Sequence, residues 1–400
     1  MTDVDTMTRT ETARQTPSAA LLDAIRARQD EIEAGNRLPR DLVDDMRRDG
    51  LFRVAVPAAY GGRQLGPHEL IDVIRLVSAA DGSAGLVLAN AIVWQVFTAR
   101  LPRQGYEDLY GDGPDVVLAG SFNGRASAVP VDGGFVVSGR WSFASGCENA
   151  SWLLGVCSVA EGEGHTYEPG ERVVAYVPAA DVTIERNWSV AGMEGTGSHD
   201  FSVDSVFVPT RRTYSMYRNL ATGYGGLYDA PVMSVLALVA APVAIGVSEA
   251  AIGEICRLAA VKTPLRTQGN AKVRDRAVVK LAVAEAEADR LSALALMRTA
   301  ADIVAGWPDA AAGGDPNVLR PLEERARIRL CATHATRLAA EAAKNAYTAG
   351  GATSIRKDSS LQRYFRNAHT MTQLSIVADA QYELVADVLL GIDLANGEYL

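Results

Sequence analysis

The chain has 400 residues, 48% of them hydrophobic, and a formal net charge of −9. That length and apolar content support a large core and two to three domains, while the acidic balance excludes nucleic acid and anionic membranes, which need a concentrated positive footprint. Cys147, Cys157, Cys256 and Cys331 show neither CxxC pairing nor histidines at metal-ligand spacing, so no metal site and no disulfide framework is expected, and a cytoplasmic location is.

Residues 1–17 mix acids, hydroxyls and arginines without the apolar stretch of a secretory signal, and are expected as a disordered tail. From 18 to 118 the apolar residues recur at helical spacing: Leu21, Leu22, Ile25 and Ile32, then Leu42, Val43 and Met46. A break follows at Tyr60-Gly61-Gly62, and helices are predicted over 69–80 and 81–97.

Near Val116 the period changes to that of strands. Short strands are predicted at 135–139, 152–156, 173–178, 182–185 and 201–209, spaced as in a small antiparallel β-barrel occupying 119–221. Residues 222–400 then return to helix, with long helices predicted over 230–258, 271–301, 323–348 and 361–390, the number a four-helix bundle needs. Within the second of these, Ala277, Leu281, Ala284, Ala288, Leu291 and Ala295 step by alternating four and three, a seam for a neighbouring helix. The uncharged run 230–247 approaches membrane-spanning length, but Pro231, Pro242 and its many small residues favour a buried helix.

Nucleotide and hydrolase motifs are missing. No GxGxxG follows a strand, Gly192-Met193-Glu194-Gly195-Thr196-Gly197 has the wrong spacing, and there is no P-loop, GxSxG elbow or HExxH. A redox enzyme with this sequence takes its electrons from its substrate or from a separate reductase. The segment Gly139-Arg140-Trp141-Ser142-Phe143-Ala144-Ser145-Gly146 is the main candidate for a ligand wall, because it joins aromatic faces to hydroxyl edges at the end of a strand.

Four stretches together resemble the acyl-CoA dehydrogenase superfamily: Leu51-Phe52-Arg53-Val54-Ala55-Val56-Pro57 with Tyr60-Gly61-Gly62; the Gly139 segment with Trp152; Gly192 to Ser198 with Val206-Phe207-Val208-Pro209; and Leu361-Gln362-Arg363-Tyr364-Phe365-Arg366-Asn367-Ala368-His369-Thr370. The resemblance implies an α+β chain with an N-terminal helical domain, a central β-barrel and a C-terminal four-helix bundle, assembled as a homotetramer with flavin between barrel and bundle. Two features separate it from the dehydrogenases. The region of Lys262 to Thr267 lacks the Phe-Gly of their phosphate-gripping motif, and Asp358 stands where they place a glutamate base. An acyl-CoA dehydrogenase with Asp358 as base is therefore the alternative reading.

The Trp141 to Gly146 segment and the terminal motif are similar to the two-component flavin-dependent monooxygenases of this fold. Those enzymes hydroxylate phenols and oxidise sulfur heterocycles, amino sugars and indoles in natural-product and catabolic pathways. The resemblance implies reduced flavin (FADH2 or FMNH2) delivered by a separate NAD(P)H-dependent reductase, O2 as co-substrate and a C4a-hydroperoxyflavin held in a dry pocket. It makes Trp141 and Phe143 a flavin wall, against the alternative of ordinary barrel core. Ser145 becomes a donor to the flavin edge or a substrate oxygen, or simply a turn tie, and Ser121 and Asn123 a first flavin-facing loop or plain turn. Arg266, Arg363 and Arg366 become phosphate ligands or internal ion pairs, and Gly350 and Gly351 a close backbone approach to pyrophosphate or a plain helix stop. His369 becomes the acid–base or peroxide partner, or a structural helix histidine. Where relatives carry a further histidine this chain has Leu374, which favours a substrate needing no deprotonation, such as an indole.

Overall fold

A computed structural model describes residues 16–161, 167–216, 222–263, 271–308 and 320–394. The tail at 1–15 and Arg266 lie outside the described residues.

The N-terminal part is helical: α1 (Ala19–Ala27), α2 (Gln29–Gly35), α3 (Arg40–Arg48), α4 (Pro67–Ala80), α5 (Gly82–Thr98) and α6 (Arg103–Tyr110). The Ser18 hydroxyl caps α1 by accepting the Leu21 N–H at 3.2 Å, and the buried Asp81 carboxylate caps α5 by accepting that of Ala84 at 2.9 Å. Fifteen of the seventeen residues of α5 are buried, so it is a central helix of the core.

Eight strands follow: β1 (Leu118–Ser121), β2 (Gly124–Val131), β3 (Gly134–Trp141), β4 (Trp152–Val159), β5 (Arg172–Pro178), β6 (Thr183–Glu185), β7 (Asp200–Pro209) and β8 (Thr213–Ser215). They pair in the order β6-β7-β3-β2-β4-β5-β8, with β1 beside β4. The expected antiparallel barrel needs correcting in two respects. β1 and β2 both run parallel to β4, and among the described residues no pairing joins β6 to β8, so the sheet is mixed and its path open. Alternation along β2, β3, β4, β5 and β7 sends Ala128, Phe135, Val137, Trp141, Leu153, Cys157, Val173, Ala175, Val177, Phe201 and Val203 into one apolar core of the sheet's own.

The helices return as α7 (Val232–Val261), α8 (Ala277–Gly306), α9 (Leu322–Gly350), α10 (Ser360–Met371) and α11 (Gln381–Leu389). Three are long; the predicted fourth is two short helices, broken over 372–380 where turns replace it. α7 is long and apolar enough to cross a membrane, yet 78% of its most apolar window is buried inside the fold, and it continues through Pro242. In α8 the face packed inside the chain is Val279, Ala286, Ala293 and Ala300. The predicted seam at 277, 281, 284, 288, 291 and 295 is exposed at every position.

Candidate active site

Two loops meet at the end of β3. One is residues 142–146; the other, 192–199, leads into β7. The backbone zips them together: the Ala144 N–H donates to the His199 carbonyl at 3.1 Å, and the Gly146 N–H to the Thr196 carbonyl at 2.9 Å. Ser145 is held between these two bonds and is 7% exposed.

Each loop carries a non-glycine residue in the left-handed region, Phe143 at φ 66° and Met193 at φ 58°. Bulky residues adopt this conformation only where surrounding structure imposes it, and such strain concentrates at functional sites. Phe143 is also 58% exposed, its ring meeting Trp188 edge-on at 6.0 Å. Gly146 has φ 79°, and a β-carbon there would lie 2.7 Å from Val87 of α5. Loop and helix are in contact because this position has no side chain.

The hydroxyls form a chain. Ser145 Oγ lies 2.8 Å from Ser198 Oγ, which lies 2.7 Å from Thr196 Oγ1, and Thr196 donates to the Met193 carbonyl at 2.8 Å. The Met193 N–H in turn donates to Asn367 Oδ1 of α10 at 2.7 Å, so Ser145 is tied to the C-terminal helices through five residues. His199, buried beside them, accepts the Trp188 N–H on Nδ1 at 3.0 Å, with Glu148 3.8 Å from Nε2. Burial lowers its pKa against the opposing Glu148 charge.

The loop 192–198 is clamped between α2 and α10. A β-carbon on Gly192 would lie 2.5 Å from Thr370 Oγ1, and one on Gly195 only 2.2 Å from Ile32. The glycines that resemble a failed nucleotide motif thus let the loop enter a narrow gap. Arg363 of α10 donates to Glu33 at 2.7 Å, to Gln29 at 3.3 Å and to Asp30; Arg366 donates to Gln362 at 2.7 Å, to Glu194 at 2.9 Å, and to Glu33 and the Ala191 carbonyl. Two of the three expected phosphate ligands, Arg363 and Arg366, therefore have carboxylates of this chain as partners.

Trp141 is 1% exposed, stacked on Phe201 at 4.8 Å and donating to the Val156 carbonyl at 2.9 Å. Gly124 and Gly155 make room for the ring: a β-carbon on either would lie within 2.3 Å of it. Ser121 donates to the Ser142 carbonyl at 2.5 Å and accepts the Asn123 N–H at 2.9 Å, while Asn123 accepts the Ser142 N–H on its carbonyl at 2.9 Å. These two residues hold the start of the Phe143 loop. Beside them, Asn90 Oδ1 and Trp94 Nε1 of α5 are buried without a hydrogen-bond partner among the described residues, although buried polar atoms are normally paired. Trp94 stacks on Phe122 at 4.6 Å.

His369 lies on another side of α10. Its Nδ1 is 2.9 Å from the Phe365 carbonyl, which only accepts, so Nδ1 is the donor of that bond. Its ring rests 4.2 Å from Phe365, which stacks on Tyr347. Among the described contacts, Ser145 reaches α10 through Asn367 and not through His369. Gly350 closes α9, its carbonyl accepting from Lys262 Nζ at 3.1 Å, and Gly351 is exposed at φ 60°. Leu374 packs against the main apolar core and offers no base.

Asp358 is 69% exposed and paired doubly with Arg356 at 2.8 and 2.9 Å, a hydrogen-bonded contact that holds its carboxyl below the ordinary range. A dehydrogenase base works from a dry pocket, so this position does not supply one. Of two surface clefts, one lies beside Trp307 and Glu324, and the other, beside Arg40, is lined by Asn149 to Ser151, where the Asn149 N–H donates to the carbonyl of Gly146 at the end of the Ser145 loop at 3.1 Å.

A reduced flavin fits these residues: an exposed aromatic faces solvent, unpaired buried polar atoms lie on α5, and a hydroxyl sits at a loop edge, together matching a flat ring with polar edges. Residues 8–99 match the family model for the acyl-CoA dehydrogenase N-terminal domain, and residues 238–378 that for the C-terminal domain. The chain is 32% identical over 376 residues to indole-3-acetate monooxygenase of Pseudomonas putida, covering 93% of this chain and 92% of that one. It is 30% identical over 359 residues to HsaA of Rhodococcus jostii, described as a flavin-dependent monooxygenase, oxygenase subunit, covering 88% and 91%. The crystal structure of 3-HSA hydroxylase from Rhodococcus sp. RHA1 matches with a TM-score of 0.83 at 26% identity, over 95% of this chain and 97% of that one. The order of N-terminal helices, central sheet and C-terminal helices is that of the acyl-CoA dehydrogenase fold.

Proposed function

The chain belongs to the flavin-dependent monooxygenase branch of the acyl-CoA dehydrogenase superfamily, and from that membership we propose that it hydroxylates an indole- or phenol-like small molecule. It is a reduced-flavin- and O2-dependent oxygenase, served by a separate flavin reductase. Bound reduced flavin supplies the two electrons with which one atom of O2 enters the substrate and the other leaves as water.

The observation that carries the site is the pair of strained loops meeting at Ser145, with Phe143 exposed beside it. Phe143 offers an apolar face for the flavin or the substrate ring. Ser145 holds a polar edge of the flavin, and Ser121 and Asn123 fix the loop that presents both. Asn90, with an unpaired carbonyl oxygen, takes a donor such as an indole N–H or a phenol hydroxyl. His369 Nε2 accepts or returns a proton at the substrate. Arg363 and Arg366 hold α10 to α2 through Glu33, Arg366 also reaches the loop at 192–198 through Glu194, and exposed Gly351 leaves the backbone open to the phosphate end of the flavin. Trp141 serves from within the sheet core, fixing the strand from which the loop departs.

Around this site the sheet completes a barrel-like wall and the long helices a bundle. The exposed seam of α8 packs against a second copy in a tetramer. Four unpaired cysteines suit a reducing cytoplasm.

The test supplies chemically reduced FAD or FMN anaerobically, then isotopically labelled O2 with indole-3-acetate, indole and simple phenols. A product bearing one labelled oxygen is expected. Hydrogen peroxide alone with every probe, together with bleaching of bound oxidised flavin by acyl-CoA esters, would overturn the reading in favour of a dehydrogenase.

A further inference from the structure

The hydroxyl chain behind Ser145 has a fixed polarity. A carbonyl oxygen only accepts, so Thr196 commits its single proton to Met193. Thr196 therefore accepts from Ser198, and Ser198, with its own proton spent, accepts from Ser145. Ser145 is left with lone pairs toward the site and no free proton. All three residues are buried, at 7%, 4% and 1% exposure for Ser145, Ser198 and Thr196, so water does not scramble the order.

We propose that Thr196 and Ser198 are positioning residues that fix Ser145 as a hydrogen-bond acceptor, so that the site prefers reduced over oxidised flavin. The inference rests on the reading that Ser145 borders the flavin. At ring position 5 the reduced flavin carries an N–H, a donor; the oxidised flavin carries a bare nitrogen, an acceptor. An acceptor-only Ser145 satisfies the first and opposes the second with facing lone pairs. An oxygenase fed by a diffusing reduced cofactor gains from this arrangement, since the spent oxidised flavin is the form its site binds poorly. The sequence expectation that Ser145 donates is thereby reversed for the flavin edge.

The chain's far end is anchored as well as its polarity. The Met193 carbonyl also accepts from the Thr196 N–H and from Trp188 Nε1, both at 3.2 Å, so it stays paired when the Thr196 hydroxyl is removed. Thr196→Val accordingly frees the Ser198 proton to turn toward Ser145 without leaving a buried carbonyl empty. Ser198→Ala reaches the same end by removing the acceptor for the Ser145 proton.

The experiment measures dissociation constants for oxidised and chemically reduced FAD and FMN by anaerobic titration, with reduced 5-deazaflavin, which has carbon at position 5, as a third probe. Wild-type protein should bind the reduced flavin more tightly. In Thr196→Val and Ser198→Ala the oxidised-to-reduced ratio should fall by on the order of tenfold, the worth of one mismatched hydrogen bond. Reduced 5-deazaflavin should lack the advantage in wild type and respond to neither change. A ratio near one in wild type, or a ratio unmoved in both variants while Ser145→Ala weakens binding, overturns the proposal even though Ser145 borders the flavin. Unchanged affinity for every flavin in Ser145→Ala removes the premise and overturns it too, while the formation of oxygenated product judges the enzymatic reading independently. Melting temperatures of the variants separate a lost fold from a lost preference, and the wild-type ratio needs no variant.

Discussion

At the scale of the residue, His369 and His199 are two histidines with opposite assignments. His369 has Nδ1 held against the Phe365 carbonyl and no hydrogen bond at Nε2 among the described residues, and we propose that it exchanges a proton with the substrate. His369→Gln keeps a polar side chain without a titrating nitrogen. Its turnover number should fall on the order of 100-fold, the size of a lost acid–base contribution, with reduced-flavin affinity preserved; an unchanged kcat removes His369 from proton transfer. His199 is structural. Its Nδ1 must stay unprotonated to accept the Trp188 N–H, and burial holds its pKa below the ordinary 6.5. The unfolded chain takes up that proton near the ordinary value, so the stability His199 contributes is intact above it and is lost as pH falls toward the lower folded value. Melting curves should show the wild-type advantage over His199→Gln shrinking as the pH falls below the ordinary 6.5. Ser145 and His369 were singled out by motif resemblance. Thr196, Ser198 and Asn367 were not, because hydroxyls and amides in a glycine-rich loop or on a helix look like turn and surface residues until the fold joins them.

At the scale of the element, α10 is held to the N-terminal half by Glu33, which accepts from both Arg363 and Arg366. Burial raises the carboxyl's pKa, but the two guanidinium groups outweigh it and hold it below the ordinary range. Removing one partner of such a cluster leaves buried charge uncompensated. Glu33→Gln should cost about 3 kcal/mol in denaturant unfolding and loosen the loop at 192–198, reducing reduced-flavin affinity indirectly. Were Arg363 and Arg366 phosphate ligands first and clamps second, the same change would tighten flavin binding by freeing them. Helix periodicity gave α4, α5, α7, α8 and α9 nearly whole, since each carries a long apolar repeat. It joined α10 to α11 because apolar residues continue across 372–380, and nothing in the pattern announces a turn there. The open, partly parallel sheet was beyond it for a related reason: alternation fixes which face is buried but not which strand lies alongside.

At the scale of the whole molecule, the apolar seam of α8 is exposed in the single chain, and we propose that a second copy covers it. Ala277, Leu281, Ala284, Ala288, Leu291 and Ala295 lie outside the face that α8 buries in its own chain, with Leu281 59% and Leu291 53% exposed. Periodicity alone cannot say whether an apolar stripe is covered by the same chain or by another, and here the within-chain contact takes the stripe two positions over, on the opposite face of the helix. The alternating four and three spacing, with small residues between two leucines, suits close approach of a second helix of the same kind. The double substitution Leu281→Glu with Leu291→Glu places like charges on both sides of a two-fold contact, where each copy meets its own new carboxylates. Light scattering should report a smaller particle for that variant, while the circular dichroism of the chain stays helical because neither side chain belongs to its core. A particle of unchanged mass would move the interface elsewhere, and the stripe would then be no more than exposed leucine and alanine. If the mass falls and oxygenation falls with it, then the single chain holds an incomplete site, and the exposed Phe143 face and open Gly351 are where a neighbouring copy's contribution is to be sought.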